Sequence, residues 1–302
     1  MLHGVAAIAQ LNVDVLFSGF SKFPQLGEEV FADQFGIQLG GGPQAMLLTL
    51  HRAGIPTRFG TFIGKDVQSF LGIELLRQYG YESYQNLYDG GGHPAVITSV
   101  LSFPSDRAFL AYNEGVSDAD LPEEDVYRFL KGSKVCFAPA SEAVRQRLFE
   151  DGTAMVFDIG WHDWLCMDRI KPMLRFVDAF CPNEKEALKI TGAPDACSAL
   201  RQLAPYVPHP VVKTGKSGCI TLLDGAVVEM PALEEFLPVD STGAGDAFLA
   251  GVAFGLHENW DFADCVRMGN VLGGHATTGL GCLANPMSRE EAFACFQRYF
   301  KE

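Results

Sequence analysis

Val239-Asp240-Ser241-Thr242-Gly243-Ala244-Gly245-Asp246-Ala247-Phe248, continued by Leu249-Ala250-Gly251-Val252-Ala253, is the stretch whose reading decides the fold. Two glycines around an alanine make a turn free to adopt φ > 0. An apolar helical run begins at once, with Phe248, Leu249, Val252 and Phe254. The backbone N–H groups of residues 243–246 then lie unpaired at a helix N-terminus, and with the helix dipole they form an anion site. Asp246 sits in the first turn. As a cap it stabilises that end by roughly 0.5–1 kcal/mol. As chemistry, a carboxylate beside a phosphate cradle accepts a hydroxyl proton while that oxygen attacks phosphorus. A carboxylate that merely bound phosphate would repel it, so its presence points to chemistry.

Outward from this stretch, short apolar runs alternate with amphipathic ones. Strands are expected at His3–Ala9, Arg58–Ile63, Lys134–Ala138, Ala154–Ile159, Val177–Cys181, Pro210–Thr214 and Cys219–Leu223. Helices are expected at Pro43–Ala53, Val67–Tyr79, Glu142–Glu150, Asn183–Thr191, Ala244–His257, Phe262–Thr278 and Arg289–Tyr299. This alternation predicts an α/β fold, a mostly parallel sheet with helices on both faces. Residues 13–37 and 93–113 break it, being β-rich without a helix between strands. The first carries Phe17, Phe20, Phe23, Phe31 and Phe35. These segments read as a small sheet standing off the main one, a lid or an oligomer contact, or as a plain hairpin.

The 302 residues are 48% hydrophobic and 20% charged, which excludes a largely disordered chain. The net charge of −14 disfavours nucleic acid or an anionic membrane surface as partner. No run reaches the roughly 18 apolar residues of a membrane helix. The eight cysteines are scattered among apolar neighbours without Cys-x-x-Cys pairs, as expected for reduced thiols in a cytoplasmic protein. The histidines show no metal-ligand spacing. Gly215-Lys216-Ser217 ends like a P-loop, but Pro210 stands where that motif needs glycine. Gly279 to Ala284 fits a relaxed dinucleotide fingerprint but has no βαβ unit behind it.

Asp240 to Phe248 closely resembles the C-terminal signature of the PfkB family, the ribokinase-like carbohydrate kinases. Other positions agree in order and spacing. Asn12-Val13-Asp14 resembles the family's Asn-x-Asp, and Gly40-Gly41-Gly42 its first glycine signature. Gly64-Lys65-Asp66 and Asp106-Arg107 have their usual places. Cys181 to Ala187 contains an Asn-x-x-Glu, and Val212 to Gly218 resembles the nucleotide-loop strand end. The resemblance spans essentially the whole chain. It implies one ribokinase-like domain over residues 1–302: a three-layer sandwich with a mostly parallel central sheet and a small β-sheet lid. The lid strands would lie within about 13–37 and 93–113.

The resemblance also implies roles. The enzyme would be a phosphotransferase acting on an alcohol group, moving the γ-phosphate of ATP to a free sugar or sugar-like polyol. Asp246 would be the base, with Gly243, Ala244, Gly245 and the Asp246 amide as anion hole. Asn12, Asp14, Gly41, Gly42 and Arg107 would hold the acceptor. Asn183, Glu186, Thr214, Gly215, Gly218 and Asn270 would surround ATP, Glu186 reaching Mg²⁺ through water. Asn183 and Glu186 are equally placed for a capping box. Asp240, Thr242, Gly281 and Asn285 match a monovalent-cation site, K⁺ in ribokinase-like members. A homodimer through the lid is a family habit. One departure stands out: Ala45 occupies the place of a substrate-touching Asn, with Gln44 beside it as a substitute. Trp161 and Trp164 are placed to stack on a sugar or base, or simply to pack. The alternatives are a nucleoside kinase on the same fold, a sugar-phosphate kinase, and a non-catalytic sensor.

Overall fold

A computed structural model describes residues 2–103 and 107–300, with the side chain of Arg107 outside the described part. In chain order the elements are β1 (Val5–Ile8), β2 (Asn12–Ser18), β3 (Gln34–Leu39), α1 (Pro43–Arg52), β4 (Thr57–Thr61), α2 (Val67–Tyr79), β5 (Tyr84–Asn86), β6 (Val96–Ser102) and β7 (Arg107–Tyr112). There follow α3 (Glu123–Leu130), β8 (Val135–Phe137), α4 (Glu142–Glu150), β9 (Ala154–Phe157), α5 (Met167–Met173), β10 (Ala179–Phe180), α6 (Glu184–Thr191) and α7 (Ala196–Leu203). The chain closes with β11 (His209–Lys213), β12 (Cys219–Leu223), β13 (Ala226–Met230), α8 (Ala244–His257), α9 (Phe262–Ala276) and α10 (Arg289–Phe300).

Nine strands form one sheet in the order β13-β12-β11-β10-β9-β8-β1-β4-β5. Its pairings are parallel except for the β11–β12–β13 meander at one edge. The two-residue period of a strand explains why both faces are covered. Val5, Ala7, Val135, Val156 and Ala179 point into one core, with Leu47, Phe254, Val266 and Phe296 from helices. Ala6, Ile8, Cys136, Met155 and Phe180 point into the other, with Leu130, Leu148, Ile170 and Leu203. This is the expected α/β sandwich. The helix expected to run to Thr278 ends at Ala276. There Thr277 and Thr278 turn their N–H groups back to Gly274 and His275 in tight three-residue turns.

The two anomalous segments form a second, four-stranded sheet, β3-β2-β6-β7. β2 runs antiparallel to β3 and parallel to β6, and β6 pairs antiparallel with β7. Register sets its two faces. Gln38, Asp14 and Thr98 lie opposite one another across three strands, and Asp14 and Thr98 are buried. The other face carries Phe35, Ile37, Leu110 and Tyr112, all exposed.

Candidate active site

The small sheet reaches the large one at the turn 40–42, and this turn joins the two ends of the chain. Glycine is required there by approach. A Cβ on Gly40 would stand 2.6 Å from Asp14 Oδ1, and one on Gly41 2.8 Å from Asp246 Oδ2. Asn12 and Asp14 therefore line one side of the turn and Asp246 the other. Gly42 caps α1 at φ 81°, with Pro43 at the first helical position. Its N–H donates to the Asp246 carboxylate. The helix carrying Asp246 opens in the same way. Gly243 caps α8 at φ 75° with no side-chain cap; Ala244 N–H, expected to be unpaired, donates to Ser241 O at 3.3 Å, and the other N–H groups of the first turn face outward from the helix. Both unshielded N-termini converge on one place, at the carboxyl ends of the parallel strands, where open α/β sheets bind ligands.

Burial governs the electrostatics. It raises Asp246 from 3.8 to about 7, with the Asp158 charge adding to the rise and Gly42 N–H and Lys213 opposing it. Burial raises Asp14 to about 6. Asn12 Oδ1 is buried with no partner among the described residues, which a ligand hydroxyl would supply. Cys282 touches Asp246, Sγ to Oδ2 at 3.9 Å. Burial and the Asp246 charge push its thiol far above the usual range, so it is a neutral neighbour and not a nucleophile.

Asn183 and Glu186 make the reciprocal capping box of α6: Glu186 N–H donates to Asn183 Oδ1 at 2.9 Å, and Asn183 N–H to Glu186 Oε2 at 2.8 Å. Burial and the Asp158 charge raise Glu186 to about 7. Among the described residues no cluster of three or more His, Cys, Asp or Glu side chains is placed to hold a metal directly. A hydrated Mg²⁺ carried by nucleotide phosphates fits such a set, because that ion keeps most of its waters. Thr214, Gly215 and Gly218 form a tight turn between β11 and β12, in which Thr214 N–H donates to Gly218 O. Lys216 on that turn is exposed. Asn270 is buried and donates to Met230 O and Pro231 O, so it shapes the end of β13. Asp240 joins two loops: its Oδ1 accepts from Thr242 N–H and hydroxyl, its Oδ2 from Gly281 N–H. Asn285 is exposed and donates to Thr278 Oγ1, apart from that knot.

Gln44 does not take over the acceptor contact of the missing Asn. It is wholly buried, accepting from Asn12 N–H at 3.0 Å and donating to Asn12 O and Gly40 O. Its amide staples the start of β2 to the glycine turn. Trp161 is exposed, and Trp164 stacks on His162 at 4.9 Å. Two further residues of the site were given no role by the sequence: Lys213, within the Val212 to Gly218 stretch, and Asp158. They pair at 2.5 Å, with side chains 13% and 16% exposed, beside the N-terminus of α8. Their signal was present: each is a charged residue closing an apolar strand run.

Comparison with known proteins gives the family and the fold. The pfkB family carbohydrate kinase model matches residues 5–288. The chain belongs to the PfkB family. A fructokinase of Klebsiella pneumoniae is 28% identical over 272 residues, covering 81% of this chain and 87% of its own. A cytidine kinase of Thermococcus kodakarensis is 39% identical over 106 residues, only 34% of this chain and 37% of that protein. The ribokinase of Arabidopsis thaliana, solved with ribose and ATP, superposes with a TM-score of 0.82 at 18% identity, covering 98% of this chain and 99% of its own. The fold is ribokinase-like, and the chain is a kinase, a phosphotransferase of a family that depends on ATP and typically uses it as the Mg²⁺ complex. Named relatives include sugar and nucleoside kinases. No described helix is long and apolar enough to cross a membrane.

Proposed function

We propose that the chain transfers the γ-phosphate of ATP to a hydroxyl of a free sugar or sugar-like polyol. The observation that carries this is Asp246: a buried carboxylate raised to about 7, at an open helix N-terminus, facing Asn12 and Asp14 across the 40–42 turn. Asn12, Asp14, Gly41 and Gly42 hold the acceptor. Asp246 takes the hydroxyl proton, the acceptor oxygen bonds to Pγ, and the Pγ–O bond to ADP breaks with its electron pair leaving on ADP. The N–H groups of Gly243, Ala244, Gly245 and Asp246 receive the charge on the transferring group. Thr214, Gly215, Gly218 and Asn270 build the nucleotide side. Glu186 would hold Mg²⁺ through its waters, and the ion would supply neutralisation of phosphate charge.

In the same proposal the chain acts as one domain, its small sheet closing over the acceptor as a lid with Arg107 on β7. The exposed Phe35, Ile37, Leu110 and Tyr112 face supports pairing of two lids in a homodimer. The Asp240–Thr242–Gly281 knot supports a K⁺ site beside the anion hole.

A nucleoside acceptor is the second reading, favoured by the 39% match to a cytidine kinase. ADP release with Mg-ATP and K⁺, over free sugars, polyols, nucleosides and sugar phosphates, tests both. Turnover among free sugars or polyols supports the first reading, and turnover confined to nucleosides replaces it with the second. Turnover on sugar phosphates alone, or none while ATP still binds, refutes both. Replacing K⁺ by choline tests the cation, and sedimentation of Ile37→Glu against the parent tests the dimer.

A further inference from the structure

Three carboxylates crowd the place where a polyphosphate must enter. Asp158, Glu186 and Asp246 lie close enough that the charge of Asp158 raises both others. Such a cluster repels ATP unless a cation stands inside it. Lys213 closes β11 and reaches in from the large sheet, and its charge bears on all three. Burial opposes that charge, but Asp158 at 2.5 Å holds the ammonium above its ordinary range. A Cβ on Gly245 would stand 2.9 Å from Lys213 Nζ. The ammonium therefore lies against the first turn of α8, among the N–H groups that face the anion. Lys216, three residues further on, is exposed on the loop.

We propose that Lys213 contacts the γ-phosphate of the nucleotide directly, with Asp158 as the positioning residue that holds it until the nucleotide arrives. The proposal rests on the reading of the α8 N-terminus as the phosphate site. Its chemistry follows from the side chain. An ammonium carries three donors, and Asp158 takes one, leaving others for phosphate oxygens. A buried ion pair adds little net stability to a fold, so a structural role alone is a weak account of it here.

The test compares nucleotides that differ in the γ-phosphate. ADP and the non-hydrolysable AMP-PNP are titrated calorimetrically with Mg²⁺ into the parent chain, Lys213→Met, Asp158→Asn and the double variant Lys213→Met/Asp158→Asn. The double variant removes both charges, so it leaves no unpaired carboxylate to unfold the chain. Loss of a charge-assisted hydrogen bond predicts that both variants lacking the lysine bind AMP-PNP about 10–100-fold more weakly. Their ADP affinity stays within about threefold, which also shows that they are folded. Asp158→Asn keeps the lysine but not its anchor, so its AMP-PNP affinity falls by less than in the variants lacking the lysine while its ADP affinity holds; an unchanged AMP-PNP affinity overturns the positioning role of Asp158. Equal losses for both nucleotides, or no loss in the double variant, overturn the role of Lys213. If the parent binds neither nucleotide, the phosphate site itself is wrong and the proposal falls with it.

Discussion

Replacing Asp246 by Asn should stabilise the fold, and by an amount that grows with pH. The carboxyl is raised from 3.8 to about 7 by burial and by Asp158. An acid whose pKa is raised on folding loses its proton first in the unfolded chain. Between about pH 4 and pH 7 the unfolded state therefore binds fewer protons, and stability falls as pH rises. Each pH unit across that window costs about 1.4 kcal/mol, so the full cost above pH 7 is about 4 kcal/mol. Part of the residue touches solvent, which makes this an upper bound. The substituted asparagine has the same shape, can still accept from Gly42 N–H, and never ionises. Its advantage over the parent should grow by about 3 kcal/mol between pH 5 and pH 8. For a chain of this size that corresponds to about 5 °C in Tm. Scanning calorimetry of both proteins at pH 5, 6, 7 and 8 measures it directly. A difference in Tm that is flat with pH would refute the raised ionisation and with it the electrostatic picture of the site.

The same substitution should lower kcat by roughly 10²–10⁴ while leaving ATP affinity nearly unchanged, the usual worth of a positioned base. For the parent, kcat/KM should fall about tenfold per pH unit below about pH 7, since the free enzyme must hold Asp246 ionised, and a level profile from pH 5.5 to 8.5 would contradict it. Asp14→Ala should raise the acceptor KM far more than the ATP KM, measured by varying each in turn. Gln44→Ala should cost about 2–4 kcal/mol in urea unfolding, because it strips Asn12 N–H and Gly40 O of the Gln44 amide, while Asn12 O keeps Gly40 N–H.

The short apolar runs made the central strands legible, because a strand covered on both faces is apolar throughout. The strands expected at Lys134–Ala138 and Ala154–Ile159 exceed the observed Val135–Phe137 and Ala154–Phe157 by two residues each; backbone bonds of Lys134 and Ala138 still reach the neighbouring strand. The second sheet was visible as an absence of helix between strands. Helices α3, α5 and α7 were less visible: they have seven or eight residues, and α5 holds Pro172. Asp246, Asn12 and Asp14 could be picked out because motifs mark them. Lys213 and Asp158 lie far apart in the chain, and only the adjacency of β9, β10 and β11 brings them together. Gln44 illustrates the opposite failure. Its neighbourhood in sequence suggested a ligand contact, while its burial commits the amide to backbone groups.

Helices α8 and α9 meet backbone to backbone. A Cβ on Gly251 would stand 2.4 Å from Met268 O, one on Gly255 2.6 Å from Cys265 Sγ, and one on Gly273 3.0 Å from Ala244 O. Between them stand chiefly the Phe248 ring, against Gly269 and Gly273, and the Cys265 side chain, against Gly255, so the pair has little room to slide. Asp246, at the head of α8, is thus a fixed datum of the large sheet. On the proposed function, a change in its distance from Asp14 would come from β2 and β3 swinging on the short segments 9–11 and 40–42. In that proposal the catalytic half of the pocket would work as an anvil, and the travel would belong to the half that brings the acceptor to it.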